Sequence, residues 1–217
     1  MTETVPQSLL LVGAGGHGRV VADLAETCGW DSIAFVDDEW PGLGRKSDWP
    51  VLGTLADVGH LPEHYPYAVS ALGDNELRLR SLATLLELGF TVPALVHPTA
   101  VVSKRAALGA GTVALANAVV NAATRIGQGV ILNTGCTVDH DCVIGDGVHV
   151  SPGAHIAGDV AVGRSSWVGI GASVRGGASI GCRATIGAGA AVVTDVPDDA
   201  VYAGVPAALL KAPRHGC

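Results

Sequence analysis

Every sixth position from residue 102 onward is apolar: Val102, Leu108, Ala114, Val120, Ile126, Leu132, Val138, Ile144, Val150, Ile156, Val162, Val168, Val174, Ile180, Ile186 and Val192, fifteen of the sixteen being Val, Ile or Leu. Four places after each anchor runs a second series of modest side chains, among them Thr112, Thr124, Cys136, Cys142, Ser166 and Ala190. Glycine follows the anchor at Gly109, Gly127, Gly145, Gly163 and Gly181, at intervals of 18 residues, so three hexads form one coil. An α-helix would rotate residues six apart by about 240°, which cannot make an apolar stripe. Collagen is excluded because Gly does not fill every third position. The register predicts a parallel β-helix in which each hexad supplies a short strand and a corner, and stacked coils share one core.

The first ~96 residues carry no hexads and instead alternate apolar runs with amphipathic stretches. Strands are predicted at Leu9 to Val12, Ile33 to Val36, Ala68 to Leu72 and Val92 to Val96, with helices at Gly18 to Cys28 and Glu76 to Leu88. That order gives βαβ units and a small doubly wound, Rossmann-like sheet. The boundary falls around Val96, His97 and Pro98, giving an α/β domain over residues 1–97 and an all-β domain over 98–217.

Composition fits closely stacked backbone: 48% of the 217 residues are hydrophobic, only 4% are aromatic, and 30 are Gly. A net charge of −7 leaves no clustered basic surface for nucleic-acid phosphates. The five cysteines, Cys28, Cys136, Cys142, Cys182 and Cys217, are scattered without metal-ligand spacing. They read as reduced thiols, and no metal is expected. Polar residues or Gly interrupt every apolar stretch before the ~18 residues of a membrane span, and no basic region precedes Leu9 to Val12. A cytoplasmic protein without a membrane partner is the resulting expectation.

Chemistry concentrates in two places. Gly13-Ala14-Gly15-Gly16-His17-Gly18 has GxGxxG spacing between a predicted strand and helix, where backbone and helix N-terminus can approach a phosphate. Asp37 and Asp38 close the next strand, where a carboxylate can meet ribose or base, and Gly73-Asp74-Asn75 follows another strand. The α/β part is too short for both halves of a dinucleotide site, so a nucleotide or nucleotide-sugar is the more natural ligand; tight turns without any ligand remain the alternative. In the repeat, His140, His149 and His155 interrupt a region poor in acids and bases. His140 beside Asp139 or Asp141 offers a base oriented by a carboxylate, although a solvated corner histidine explains the spacing equally well. No GxSxG elbow or reactive-cysteine context accompanies it, which disfavours covalent catalysis.

The hexads, the GAGGHGRVV loop, the NTGCTVDHDCVIGDGVHVSPGAHIAG stretch and the closing YAGVPA together resemble the hexapeptide sugar acetyltransferases over nearly the whole chain. The likeness is greatest to enzymes that N-acetylate 4-amino nucleotide sugars in the bacillosamine and perosamine pathways, and to the related sialic acid O-acetyltransferases. The resemblance implies a left-handed β-helix, a homotrimer with active sites between subunits, and acetyl-CoA as cosubstrate. It implies His140 as general base with Asp141 as its acidic partner. It further implies acetyl-CoA contacts at His149, Gly169, Ile170 and Ala188, with the Gly158 amide holding the thioester oxyanion. In the α/β domain it implies nucleotide-sugar contacts at Gly15, Gly16 and His17, at Asp37 and Asp38, and at Gly73, Asn75 and Arg78. Some relatives carry His-Glu where this chain has His140-Asp141, and relatives differ in nucleotide and in N- or O-acetyl acceptor. The rival functions are a sugar O-acetyltransferase, an NAD-linked oxidoreductase and a non-catalytic nucleotide-sugar-binding scaffold.

Overall fold

A computed structural model describes residues 8–40, 48–61 and 63–211. The chain divides into two compact units between Leu95 and Val96.

In the first unit, strands β1 (Ser8–Val12), β2 (Ser32–Val36) and β3 (Tyr67–Ser70) form a parallel sheet in the order β2-β1-β3. Leu9, Leu10 and Leu11 are wholly buried in the central strand, as a strand covered on both faces requires. Helix α1 (Gly16–Thr27) joins β1 to β2, and helix α2 (Asn75–Glu87) follows β3. Helix α1 buries Gly18, Val21, Ala22, Leu24 and Ala25, an i, i+3, i+4, i+6, i+7 stripe. A β carbon at Gly18 would collide with the carbonyl oxygen of Gly13, so glycine there lets helix and loop close together.

The expected fourth strand, Val92 to Val96, does not join this sheet. Only Thr91 bridges to Tyr67, and strand geometry resumes at Leu95–Val96. Pro93 interrupts the run, and proline cannot donate to a ladder. A short 3-10 turn at Leu55–His60, not expected from the pattern, stands between β2 and β3.

The second unit is a parallel β-helix. Sixteen two-residue strands recur every six residues from Val101–Val102 to Ala191–Val192. They stack into three faces: the first begins at Val101–Val102, the second at Ala107–Leu108 and the third at Val113–Ala114, and each strand as far as Ser173–Val174 pairs with the one 18 residues on. The anchors point inward into one continuous core that also takes in the small series. Ile144, Ile156 and Ile180 are almost wholly buried, and truncating one to Ala would cost about 2–5 kcal/mol.

Polar members of the small series bind corner backbone. Thr124 Oγ1 donates to Asp139 O at 2.6 Å and accepts from the Cys142 N–H at 3.1 Å. Ser166 Oγ treats Gly181 O and the Ala184 N–H in the same way. A final strand, Val201–Ala203, extends the third face and pairs antiparallel with Ala208–Lys211. Among the described residues no helix is long and apolar enough to cross a membrane.

Candidate functional site

The β-helix corner between its first and second faces carries His140 and Asp141. In a strand, adjacent side chains point to opposite sides, but Asp141 sits at φ 59°, a left-handed conformation that Asp tolerates better than most residues. The turn brings the two neighbours together, with His140 Nδ1 and Asp141 Oδ2 2.8 Å apart. Asp139 fixes the backbone beneath them: its Oδ1 accepts the His140 N–H at 2.9 Å and the Asn121 side-chain amide, one coil earlier, at 2.8 Å. The imidazole lies over Gly158, its equivalent on the next coil. His140 Nε2 has no hydrogen-bond partner among the described residues, and the ring is exposed.

Hydrogen bonding to Asp141, followed by the charge of Asp139, raises the His140 pKa above its ordinary value, with Asp159 adding to the effect. The two bonds to Asp139 pull that carboxyl below the usual range. The corner is therefore an imidazole with one nitrogen held by a carboxylate and the other turned outward, the arrangement a general base needs. The thiols nearby offer no rival nucleophile: Cys136 is buried and its pKa pushed up to about 12, and burial also raises that of Cys142.

The remaining candidates in the β-helix lie elsewhere on the same chain. His149 is on the third face, where its ring stacks on Trp167 at 5.0 Å between centroids and its Nε2 lies 3.1 Å from the Asn133 amide. Ile170 and Ala188 are exposed and occupy equivalent places on successive coils at the corner after the third face. Gly169 packs so tightly on the coil above that a β carbon would come 2.5 Å from Ile186 O, which accounts for glycine there on packing grounds alone. One chain thus sets His140 on one edge of its β-helix and Ile170 with Ala188 on another.

In the α/β unit a cavity of about 630 Å3 opens beyond the carboxyl ends of β1 and β3, where the order of connections reverses. Gly15, Gly16, His17, Asp37, Asp38 and Gly73 line it. Gly15 caps α1 without any side-chain bond, and no acidic residue occupies the first turn, so the helix N-terminus is left for an anion. A β carbon at Gly15 or Gly16 would meet nothing within 4 Å, so internal packing does not demand glycine at either position; a close ligand would. Asp37 pins the loop, its Oδ2 accepting the Ala14 N–H at 2.7 Å and its Oδ1 the Glu39 N–H at 2.9 Å. Asp38 Oδ1 accepts the Leu55 N–H at 3.0 Å. Burial, and secondarily the positive charge of Arg78, lowers the His17 pKa to about 4, so its ring is neutral at physiological pH.

Asn75 and Arg78, expected to meet the ligand, do not line the cavity. Arg78 is buried, and its guanidinium donates to the carbonyls of Leu72 and Gly73 at 3.0 and 3.1 Å and to Asn75 Oδ1 at 2.8 Å. It holds the β3–α2 loop from inside. The α2 residues that reach the cavity are Leu77, Arg80, Ser81 and Thr84. Sequence reasoning passed over them, although their i, i+3, i+4, i+7 spacing marks one helix face. Asn121 was missed as well, and its signal was the 18-residue separation from Asp139.

Comparison with known proteins bears on both units. Residues 8–85 match the family model described as PglD N-terminal domain, and residues 123–158 match that described as bacterial transferase hexapeptide (six repeats). Over 95% of this chain and 100% of the other, the structure is similar to the acetyltransferase domain of PglB from Neisseria gonorrhoeae FA1090 in complex with acetyl coenzyme A, with 42% identity and a TM-score of 0.90. PerB from Caulobacter crescentus, solved with CoA and GDP-perosamine, is 37% identical with a TM-score of 0.89, the match covering 94% of this chain and 97% of that one. A UDP-N-acetylbacillosamine N-acetyltransferase of Bacillus subtilis (strain 168) is 38% identical over 114 residues, so the match spans about half of each sequence, 51% of this chain and 52% of the relative.

Proposed function

The chain belongs to the hexapeptide-repeat acetyltransferase family that includes the PglB acetyltransferase domain and PerB, and on that premise we propose that it transfers the acetyl group of acetyl-CoA to the amino group of a nucleotide-linked 4-amino-deoxysugar. The observation that carries the reading is the His140 imidazole, held at Nδ1 by Asp141 and open at Nε2. The sugar amine attacks the thioester carbonyl carbon, the carbon–sulfur bond breaks, and His140 Nε2 takes the proton lost by the nitrogen as CoA leaves. Transfer is direct, because the buried Cys136 and Cys142 thiols cannot carry the acyl group.

The amine-bearing substrate is anchored through its nucleotide in the α/β cavity. The relatives support both halves of this assignment, since one was solved with acetyl-CoA and another with CoA and GDP-perosamine. The assembly we propose is a homotrimer, in which the His140 edge of one β-helix faces the edge of a neighbour bearing Ile170 and Ala188, with acetyl-CoA between them. That arrangement explains why Ile170 and Ala188, expected to contact acetyl-CoA, lie on a different edge of a single chain from the proposed base, while Gly158 lies beneath it.

The test is release of the CoA thiol from acetyl-CoA in the presence of UDP-, GDP- and dTDP-linked 4-amino sugars. One of these should support turnover, and His140→Ala should lower kcat by about 10²–10⁴-fold without changing oligomeric state. Thiol release with none of the amino sugars, or near-normal turnover by the variant, would refute the assignment.

A further inference from the structure

Resting on the nucleotide-sugar reading of the α/β cavity, we infer that Arg80 and Ser81 of α2 hold the diphosphate of that ligand together with the uncapped N-terminus of α1. Three observations converge on this pair. Among the described residues that line the cavity Arg80 is the one arginine or lysine, and its guanidinium has no hydrogen-bond partner among the described residues. Ser81 is only 3% exposed, yet its Oγ, in the cavity wall, has no partner either. Buried hydroxyls are ordinarily bonded, and the neighbouring Thr84 shows how a helix does it, by donating to Arg80 O at 3.2 Å. Ser81 makes no such bond and is left for whatever fills the space. The third is His17, whose Nε2 is sealed from solvent without a partner and whose ring lines the same cavity.

The charges also orient the ligand. A diphosphate is all acceptors and negative, so it needs donors and a cation, and the carboxylates of Asp38 and Glu39 in the wall would repel it. Arg80, Ser81, a neutral His17 and the first-turn N–H groups of α1 supply the donors. The carboxylates then meet the nucleoside, which has hydroxyl and N–H groups to donate. Arg78 cannot take the role of Arg80, because its guanidinium is spent inside the protein on Leu72, Gly73 and Asn75.

Calorimetric titration of the full chain with UDP, GDP and dTDP, and with the matching nucleosides, tests the inference. For whichever diphosphate binds the wild type, Arg80→Met should weaken binding by about 10–100-fold, the loss expected for a charged hydrogen bond. The matching nucleoside should lose affinity much less. Ser81→Ala should weaken the diphosphate by about 3–10-fold. The same variant should raise the melting temperature of the ligand-free chain, because it removes a buried group without a partner. Arg80→Met and Ser81→Ala chains that bind the diphosphate as well as the wild type would overturn this inference alone. A wild-type chain that binds none of the three diphosphates would overturn the nucleotide-sugar reading, and this inference with it.

Discussion

The His140 imidazole lies so close above the α carbon of Gly158 that a β carbon there would come 2.5 Å from Cε1 and 2.6 Å from Nε2. Gly158 is therefore the seat of the ring, whatever its amide also does. The obstructed group is an exposed side chain rather than backbone, so Gly158→Ala should displace the ring and leave the coil intact. Displacement of a reacting group by about 1 Å can cost on the order of 10²-fold in rate. We expect kcat to fall by about that factor with an unchanged melting temperature, measured by thiol release and thermal denaturation. Unaltered kcat would mean that the ring does not work from this position.

The pH–rate profile should carry the signature of the His140–Asp141 pair. A general base works when deprotonated, so activity should rise with pH through the His140 pKa. Asp141, then Asp139 and Asp159, move that pKa above the ordinary imidazole value. Asp141→Asn removes the largest cause, so the acidic limb of kcat/KM should shift to lower pH. The plateau rate should drop because a neutral amide, which can donate as well as accept, no longer fixes the ring's tautomer or stabilises its charged form. An acidic limb that stays in place would assign the titration to another group.

Arg78 makes a contrasting prediction, for stability. Its guanidinium is buried enough for desolvation to lower its pKa to about 10, and it bridges two carbonyls of the β3–α2 loop and the Asn75 amide oxygen. Replacing it with Met removes a partner from two partly buried carbonyls and from the buried Asn75 side chain. The expected loss is on the order of 3 kcal/mol, read from urea denaturation of the α/β unit's helical signal. Destabilisation near zero would show that water takes over these bonds.

How much of this was legible in the sequence follows from how local each feature is. The β-helix repeats a six-residue rule, and each coil meets only its neighbours, so its anchors could be read without knowing any long-range contact. His140 and Asp141 are adjacent in sequence, and the left-handed corner between them does the rest. Gly158 under His140 and Asn121 beside Asp139 are both one coil away, so the 18-residue period contained them. Legibility failed where strand order mattered. Only the arrangement β2-β1-β3 sets α2 beside the glycine loop, and the choice between Arg78 and Arg80 turns on which face of that helix looks at the cavity. The phase was available, because Arg78 shares its face with the buried Leu82 and Leu85, but a buried arginine runs against the usual expectation for the residue. The missing fourth strand had its warning in Pro93.

His17 links the ligand cavity to the acid stability of the α/β unit. Its folded-state pKa of about 4 lies below the unfolded value of 6.5, so the folded protein resists a proton that the unfolded chain accepts. A depressed pKa contributes stability that is fully present above pH 6.5 and is lost as the pH falls toward 4. The shift corresponds to at most about 3 kcal/mol across that window. His17→Gln keeps a polar side chain but removes the titration, so its melting temperature should fall less than that of the wild type between pH 7 and pH 4. Thermal melts of the two proteins side by side cancel the carboxylates common to both. Parallel curves through that range would mean that the ring is protonated in the folded state as readily as in the unfolded chain, and that burial does not keep it neutral for the ligand.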